Sequence, residues 1–156
     1  MVMTAFQITP DPLESADVLD LLRLHLNEMH AASPACKVHA MPPERLREND
    51  VTFYAVRMDG DLAAVGALKD LGGGLGELKS MRASPAFRGQ GAGRALLEHL
   101  IGEAQARGYK WLGLETGRTS EFEAARRLYE RYGFAECDAF NGYTSDDFSM
   151  CMERAL

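Results

Sequence analysis

The chain is 156 residues long, 46% hydrophobic and 26% charged, the balance of an ordinary globular protein rather than a fibrous or disordered one. Its net charge of −6 argues against a broad nucleic-acid or acidic-membrane surface, and it has no run of about eighteen apolar residues to span a bilayer. At this length one core suffices, burying roughly 70% of the surface of the unfolded chain, so residues 1–156 read as one domain.

Met1-Val2-Met3-Thr4 carries neither the charged nor the apolar region of a signal peptide. Cys36, Cys137 and Cys151 are odd in number, widely spaced and without a C-x-x-C pair. Both features lead to the expectation of a cytoplasmic chain with reduced thiols, no disulfide framework and no metal site.

In chain order, residues 4–8 read as a short strand. Asp11 reads as an N-cap, with Pro12 at the first helical position and Glu14 closing a capping box. The helix that follows carries Val18, Leu21, Leu22 and Leu26 and ends near Ser33-Pro34. Residues 35–49, with Pro42-Pro43, hold a short second helix. Strands are predicted over 51–58 and 62–68, joined at the hairpin signal Asp59-Gly60. Leu71-Gly72-Gly73-Gly74 is a turn into a strand over 76–83, which Ser84-Pro85 closes. Residues 94–107 form a helix with Leu96, Leu97, Leu100, Ile101 and Ala104 on one stripe and Gly108 as its stop. A strand over 112–116, a helix with Phe122, Ala125, Leu128 and Tyr132 on one stripe, and strands over 134–137 and 147–153 complete the chain. The predicted class is α/β, a mixed sheet of about six to seven strands flanked by about four helices. An exposed last strand would offer an edge for pairing with a second copy as a homodimer.

The most informative stretch is Arg88-Gly89-Gln90-Gly91-Ala92-Gly93. A glycine-rich loop ending in a helix N-terminus gathers unpaired N–H groups and the positive end of the helix dipole, a phosphate site. The glycines admit the anion close to the backbone, and Arg88 and Arg94 flank it. A nucleotide P-loop needs Gly-Lys-Ser/Thr where this chain has Gly93-Arg94-Ala95. A nicotinamide-dinucleotide loop needs a third glycine where Leu96 stands and a tighter turn than residues 84–88 allow, although Glu115 stands near the ribose position.

The third reading is coenzyme A, and it comes with a resemblance. Arg88-x-x-Gly91-x-Gly93 after a strand and a proline turn resembles the pyrophosphate loop of the GCN5-related N-acetyltransferases (the GNAT superfamily). Leu112-Gly113-Leu114-Glu115-Thr116 resembles the family's next strand, and Ala125-Arg126-Arg127-Leu128-Tyr129-Glu130-Arg131-Tyr132-Gly133-Phe134 its Ala-x-x-Leu-Tyr-x-x-x-Gly-Phe signature. The match covers residues 76–134 in the family's order and spacing, and is similar to a subgroup of small bacterial acetyltransferases with Leu-Glu-Thr-Gly after the fifth strand.

The resemblance implies an acetyl-CoA-dependent N-acetyltransferase, with acetyl-CoA as cosubstrate and a small-molecule or protein amine as acceptor. It implies that the main chain of Met81, Arg82 and Ala83 holds the acetyl carbonyl, that the loop Arg88, Gly89, Gln90, Gly91, Ala92, Gly93 and Arg94 holds the pyrophosphate, and that Tyr129 protonates the coenzyme sulfur. A phenol of ordinary pKa near 10 is a sensible donor to a thiolate, though Tyr129 could equally join the packing stripe of Phe122, Ala125, Leu128 and Tyr132. Phe122 stands where the family often has Asn, which removes one amide contact to the pantetheine arm. Glu77, on the fourth strand and of one parity with Lys79 and Met81, is the candidate general base. His30, His39, Glu115 and Tyr143 are candidate acceptor contacts. Two alternatives stay open: a non-catalytic acyl-CoA-binding or sensing domain on the same fold, and a nicotinamide-dinucleotide enzyme.

Overall fold

The computed structural model describes residues 5–32 and 41–156, with the side chains of His30 and Ala32 outside that description. Strand β1 (Gln7–Pro10) leads into helix α1 (Ala16–Ala32), which starts later than Pro12. The Asp11 carboxylate accepts the Leu13 N–H at 2.8 Å and turns the chain through a left-handed Leu13 (φ 60°); the Ser15 carbonyl then opens the helix. Asp11 is therefore a turn former rather than an N-cap, and the turn sends Leu13 fully into the core.

Helix α2 (Pro43–Leu46) is a single turn behind Pro42. Strands β2 (Val51–Met58) and β3 (Asp61–Gly72) form the predicted hairpin, with Asp59 and Gly60 both at positive φ, as a tight two-residue turn requires. Strand β3 runs four residues past the predicted end at 68 before the glycine turn delivers β4 (Leu75–Ala83). A short 3-10 turn (Pro85–Phe87) precedes α3 (Ala92–Ala106). Then come β5 (Trp111–Gly117), α4 (Glu123–Arg131), β6 (Ala135–Cys137) and β7 (Ser149–Ala155). The last strand starts after Asp147, whose turn region the sequence pattern had assigned to it.

The strands make one sheet in the order β1-β2-β3-β4-β5-β7-β6, antiparallel everywhere except between β4 and β5. Strand β7 lies between β5 and β6, so it is not the free edge on which pairing with a second copy was expected. Helices α3 and α4 cover one face, where Leu96, Leu97 and Leu100 pack on Leu68, Leu78, Leu112 and Leu114. Helices α1 and α2 cover the other face over β2 and β3, through Val18, Leu22, Leu46, Phe53 and Val65. The connection between β6 and β7 covers the second face where β4 and β5 pair, Asn141 and Tyr143 reaching Glu77 and Phe140 packing on Trp111.

Candidate active site

The site begins where the sheet comes apart. Parallel strands β4 and β5 share three pairs, Leu75 with Trp111, Gly76 with Leu112 and Glu77 with Gly113, and then diverge while each stays paired to its outer neighbour. A cleft of about 920 Å³ opens between them. On its β4 side Val65 pairs with Arg82 and Ala67 with Lys79, so Ser80 and Met81 together face Gly66: a β-bulge, with Ser80 at φ 54°. A bulge leaves one residue out of the ladder and turns its backbone groups elsewhere, here towards the cleft that Met81, Arg82 and Ala83 line. Gly66 makes this packing possible, because a Cβ there would stand 2.5 Å from Met81 Sδ and 2.8 Å from Leu96 Cδ2.

Helix α3 points its N-terminus at the same cleft. Gly91 sits just ahead of it in a left-handed conformation (φ 90°), and Gly89 is left-handed as well (φ 75°). The first helical bond runs from Ala95 N to Gly91 O, so the N–H groups of the preceding helical residues have no carbonyl inside the helix. No side chain caps them, and this is the property an anion uses. All the predicted loop residues except Gln90 line the cleft. Gln90 instead donates to the Ala86 carbonyl at 3.1 Å. Arg94 donates to Tyr132 Oη at 2.9 Å and Glu98 at 3.2 Å, while Arg88 stands 60% exposed, 3.8 Å from Glu28.

Tyr129 reaches the cleft from α4, 7% exposed, its ring edge-on to Phe134 at 5.9 Å. Burial pushes its phenol up to about 12, so it holds its proton at neutral pH. Phe122 closes the neighbouring wall by laying its ring where Gly117 has no side chain; a Cβ on Gly117 would be 2.1 Å from it.

On the other face, Glu77 is buried (1% exposed) and takes hydrogen bonds from Lys79 Nζ at 3.1 Å, Asn141 Nδ2 at 3.2 Å and the Tyr143 hydroxyl. Lys79 also donates to Tyr143 Oη, and its ammonium lies 5.1 Å from the ring centroid. Asn141 reaches in from a turn whose Asn141 and Gly142 both have positive φ, a conformation Asn and Gly tolerate best. Burial, followed by the Glu77 charge, drives the Tyr143 phenol far above its ordinary range. Phe140 packs edge-on against both Trp111 and Tyr143, filling the space that Gly113 leaves open. Beside this network, on the diverging part of β5, stands Glu115. Burial raises its carboxyl to about 7 against the opposing pull of a Ser149 hydrogen bond and the Lys79 charge. Glu77, Glu115, Tyr129 and Tyr143 thus share one cleft.

His39 lies outside the described residues, as does the side chain of His30, whose backbone is in α1. The α1 side of the cleft is lined by His25, which the sequence placed with His30 and His39 in the region expected to meet the acceptor, and by two groups the sequence reading missed, Glu28 and the side chain of Arg82. A helix periodicity count would have placed His25 and Glu28, three apart, on one face of α1; nothing local announced their partner on β4.

A split parallel pair, a bulge on one lip, a helix N-terminus behind it and a buried tyrosine opposite define a protein that binds a long phosphorylated cosubstrate between two strands. Comparison with known proteins gives the class its family. The Acetyltransferase (GNAT) family model matches residues 18–134, and the chain belongs to that family. It is 41% identical to an uncharacterised N-acetyltransferase of Bacillus subtilis, YsnE, over 94% of this chain and 97% of that one. It is 38% identical to an uncharacterised N-acetyltransferase of Escherichia coli, YedL, over 97% and 95%. A solved structure from Klebsiella pneumoniae, assigned there as an acyl-CoA N-acyltransferase, superposes with a TM-score of 0.77 at 30% identity, covering 97% of both chains. The chain is an acetyl-CoA-dependent N-acetyltransferase with an amine acceptor. The dinucleotide and sensor alternatives give way to that assignment. Among the described residues no helix is long and apolar enough to cross a membrane.

Proposed function

We propose that this protein acetylates a primary amine by direct attack on the thioester within a ternary complex, acetyl-CoA supplying the activated acetyl group. The observation that carries the reading is the convergence of the bulge, the α3 N-terminus, Tyr129 and Glu115 on one cleft from four separate elements. The free N–H groups at the start of α3 and the left-handed glycines before it fit a pyrophosphate, and Arg88 is exposed beside them. The main chain of Met81, Arg82 and Ala83 polarises the acetyl carbonyl, which is where preorganised donors count most.

Tyr129 gives its proton to the departing thiolate, a role suited to a phenol that is neutral at working pH and returns to that state readily. Glu115 takes the proton of the attacking amine. A general base works best with a pKa near the operating pH, and Glu115 is the carboxylate in the cleft pushed there. The base role thereby passes from Glu77 to Glu115, because the Glu77 carboxylate is closed off from solvent and saturated by its donors. Glu77 instead holds Lys79 and Tyr143 in place beside Glu115, and Tyr143 forms the acceptor wall.

Tyr129→Phe tests the assignment: kcat falls by about 10²-fold or more while the acetyl-CoA Kd stays within about twofold, measured by thiol release and calorimetry. Equal losses of kcat and cosubstrate affinity would make Tyr129 a packing residue and sink the proton-donor role.

A further inference from the structure

Polar atoms buried without a partner concentrate on one wall of the cleft. Arg82 pairs across the sheet with Val65, a residue of the core under α1, so its side chain lies on the α1 face, opposite α3. It is 11% exposed, and its Nε and Nη2 atoms are buried with no hydrogen-bond acceptor among the described residues. Glu28 stands against Nη2 as an ion pair, but out of hydrogen-bond alignment. Next to it on α1, His25 is 9% exposed and its Nδ1 is likewise buried without a partner. Burial and then the Arg82 charge hold its imidazole well below the usual histidine range, so it adds no positive charge at neutral pH. The Ser80 hydroxyl, on the bulge that lines the same cleft, is a third buried group without a hydrogen-bond partner among the described residues. Each such group costs about 1–3 kcal/mol when left unmatched, and folded proteins seldom leave several together unless something else satisfies them.

We propose that this wall is the acceptor subsite for an anionic group, and that the substrate is a small amino carboxylate: its carboxylate binds Arg82, Ser80 and His25 while its amine faces Glu115. The inference rests on the amine-acetylation reading above. Nε and Nη2 form the side edge of the guanidinium fork, the pair of parallel donors that matches a carboxylate in bidentate fashion. A serine hydroxyl and a neutral imidazole add donors without adding charge. Glu28 leans on Nη2 from the open side with its side chain 44% exposed, so it can swing into solvent as a ligand carboxylate takes its place. The two ends of the cleft thereby carry opposite preferences, an anion site on β4 and α1 and a proton-accepting carboxylate on β5. A zwitterion satisfies both.

The test compares acids with their neutral derivatives. Thiol release is measured with acetyl-CoA and a panel of α-, β- and γ-amino acids, each beside its primary amide. The wild-type protein is expected to favour the acid over its amide by at least about tenfold in kcat/KM for the acceptors it uses, mainly through KM, the range a charge-assisted pair supplies. In Arg82→Gln that preference collapses towards unity, and Arg82→Lys restores part of it. The comparison on wild-type protein stands even where a variant folds poorly. Amides turned over as well as acids, or turnover of none of the acids by protein that binds acetyl-CoA, would overturn the proposal. Failure to bind acetyl-CoA at all would instead strike the acetyltransferase reading on which it rests.

Discussion

Replacing Glu115 by glutamine tests the proton acceptor directly. Burial lifts this carboxyl to about 7, although Ser149 and Lys79 both pull it down. A base acts in its deprotonated form, so kcat/KM of the wild-type protein falls about tenfold for each pH unit below that value and levels off above it. Glu115→Gln keeps the shape and a hydrogen-bonding oxygen but accepts no proton. Its kcat/KM is expected to fall by about 10²- to 10⁴-fold, and the inflection near neutrality disappears, leaving only the ionisation of the acceptor amine. Stability gives an independent readout. The carboxyl titrates near 7 when folded and near 4.5 when unfolded, so the native state keeps a proton that the unfolded chain releases. Stability is therefore highest below the unfolded value and is lost as pH rises through the window between the two. The gap corresponds to on the order of 3 kcal/mol for full burial, and the partial exposure of Glu115 reduces it to about 1–2 kcal/mol. Glu115→Gln escapes this loss, so it is more stable than the wild type at about pH 8, and the difference closes at about pH 5. Rate profiles and denaturant melts at both ends of the range check the two effects. An inflection near neutrality that persists in the variant, or a wild-type profile flat through it, would refute the assignment.

Three further perturbations separate the parts of the cleft. Gly91→Val places a β-branched residue at φ 90°, where a Cβ meets only the Phe6 ring, at 4.0 Å, and the cost is mainly backbone conformation; acetyl-CoA affinity is expected to drop about tenfold or more in calorimetric titration. Gly66→Ala drives a methyl into Met81 and the fully buried Leu96 across the bulge, lowering stability by about 1–3 kcal/mol and reducing kcat together with it, as urea melts and thiol release read. Arg118→Ala removes the donor that ties the Asp146 carbonyl at 2.6 Å, Glu136 Oε2 at 2.5 Å and Ser145 Oγ at 3.0 Å. It should loosen the connection between β6 and β7 and raise the acceptor KM with acetyl-CoA affinity kept; an unchanged KM would show that this connection does not shape the acceptor wall.

Local signals carried the frame of the fold. The apolar stripe of α3, the Asp59-Gly60 hairpin and the glycine loop each depend on residues adjacent in sequence, and each stands where its pattern put it. The start of α1 was misread because Asp11-Pro12 satisfies the capping pattern locally, whereas the buried position of Leu13 requires a turn instead. The catalytic neighbourhood was legible only in part, since its key pairings join residues far apart in sequence. Glu77 meets Asn141 and Tyr143 across 64 and 66 positions, and no pattern on β4 tells a saturated carboxylate from a free one. The Arg82 side chain escaped notice for the same reason: its neighbours on α1 are reached through the sheet, not along the chain.

The glycines of the sheet show why the site has to lie where it does. Gly66, Gly113 and Gly117 are each strand residues with side-chain atoms of another residue within 3.0 Å of where a Cβ would sit: Met81 at the first, Trp111 and Phe140 at the second, Phe122 at the third. None of the three has a positive φ, so conformational freedom is not their reason; removal of a side chain is. At Gly66 the absence lets the β4 bulge settle, and at Gly117 it lets Phe122 wall the tyrosine side. At Gly113, the last residue that pairs with β4, it lets Phe140 and Trp111 pack at the point of divergence. A strand glycine ordinarily weakens a sheet. Here Gly113 and Gly117 lie on the β5 lip of the split and Gly66 lies on β3 directly behind the β4 bulge, so the same deletions that cost sheet propensity leave room for the bulge, the wall and the wedge that keep the cleft open. Restoring a Cβ at any one of them should therefore disturb the cleft before it disturbs the distant hairpin of β2 and β3.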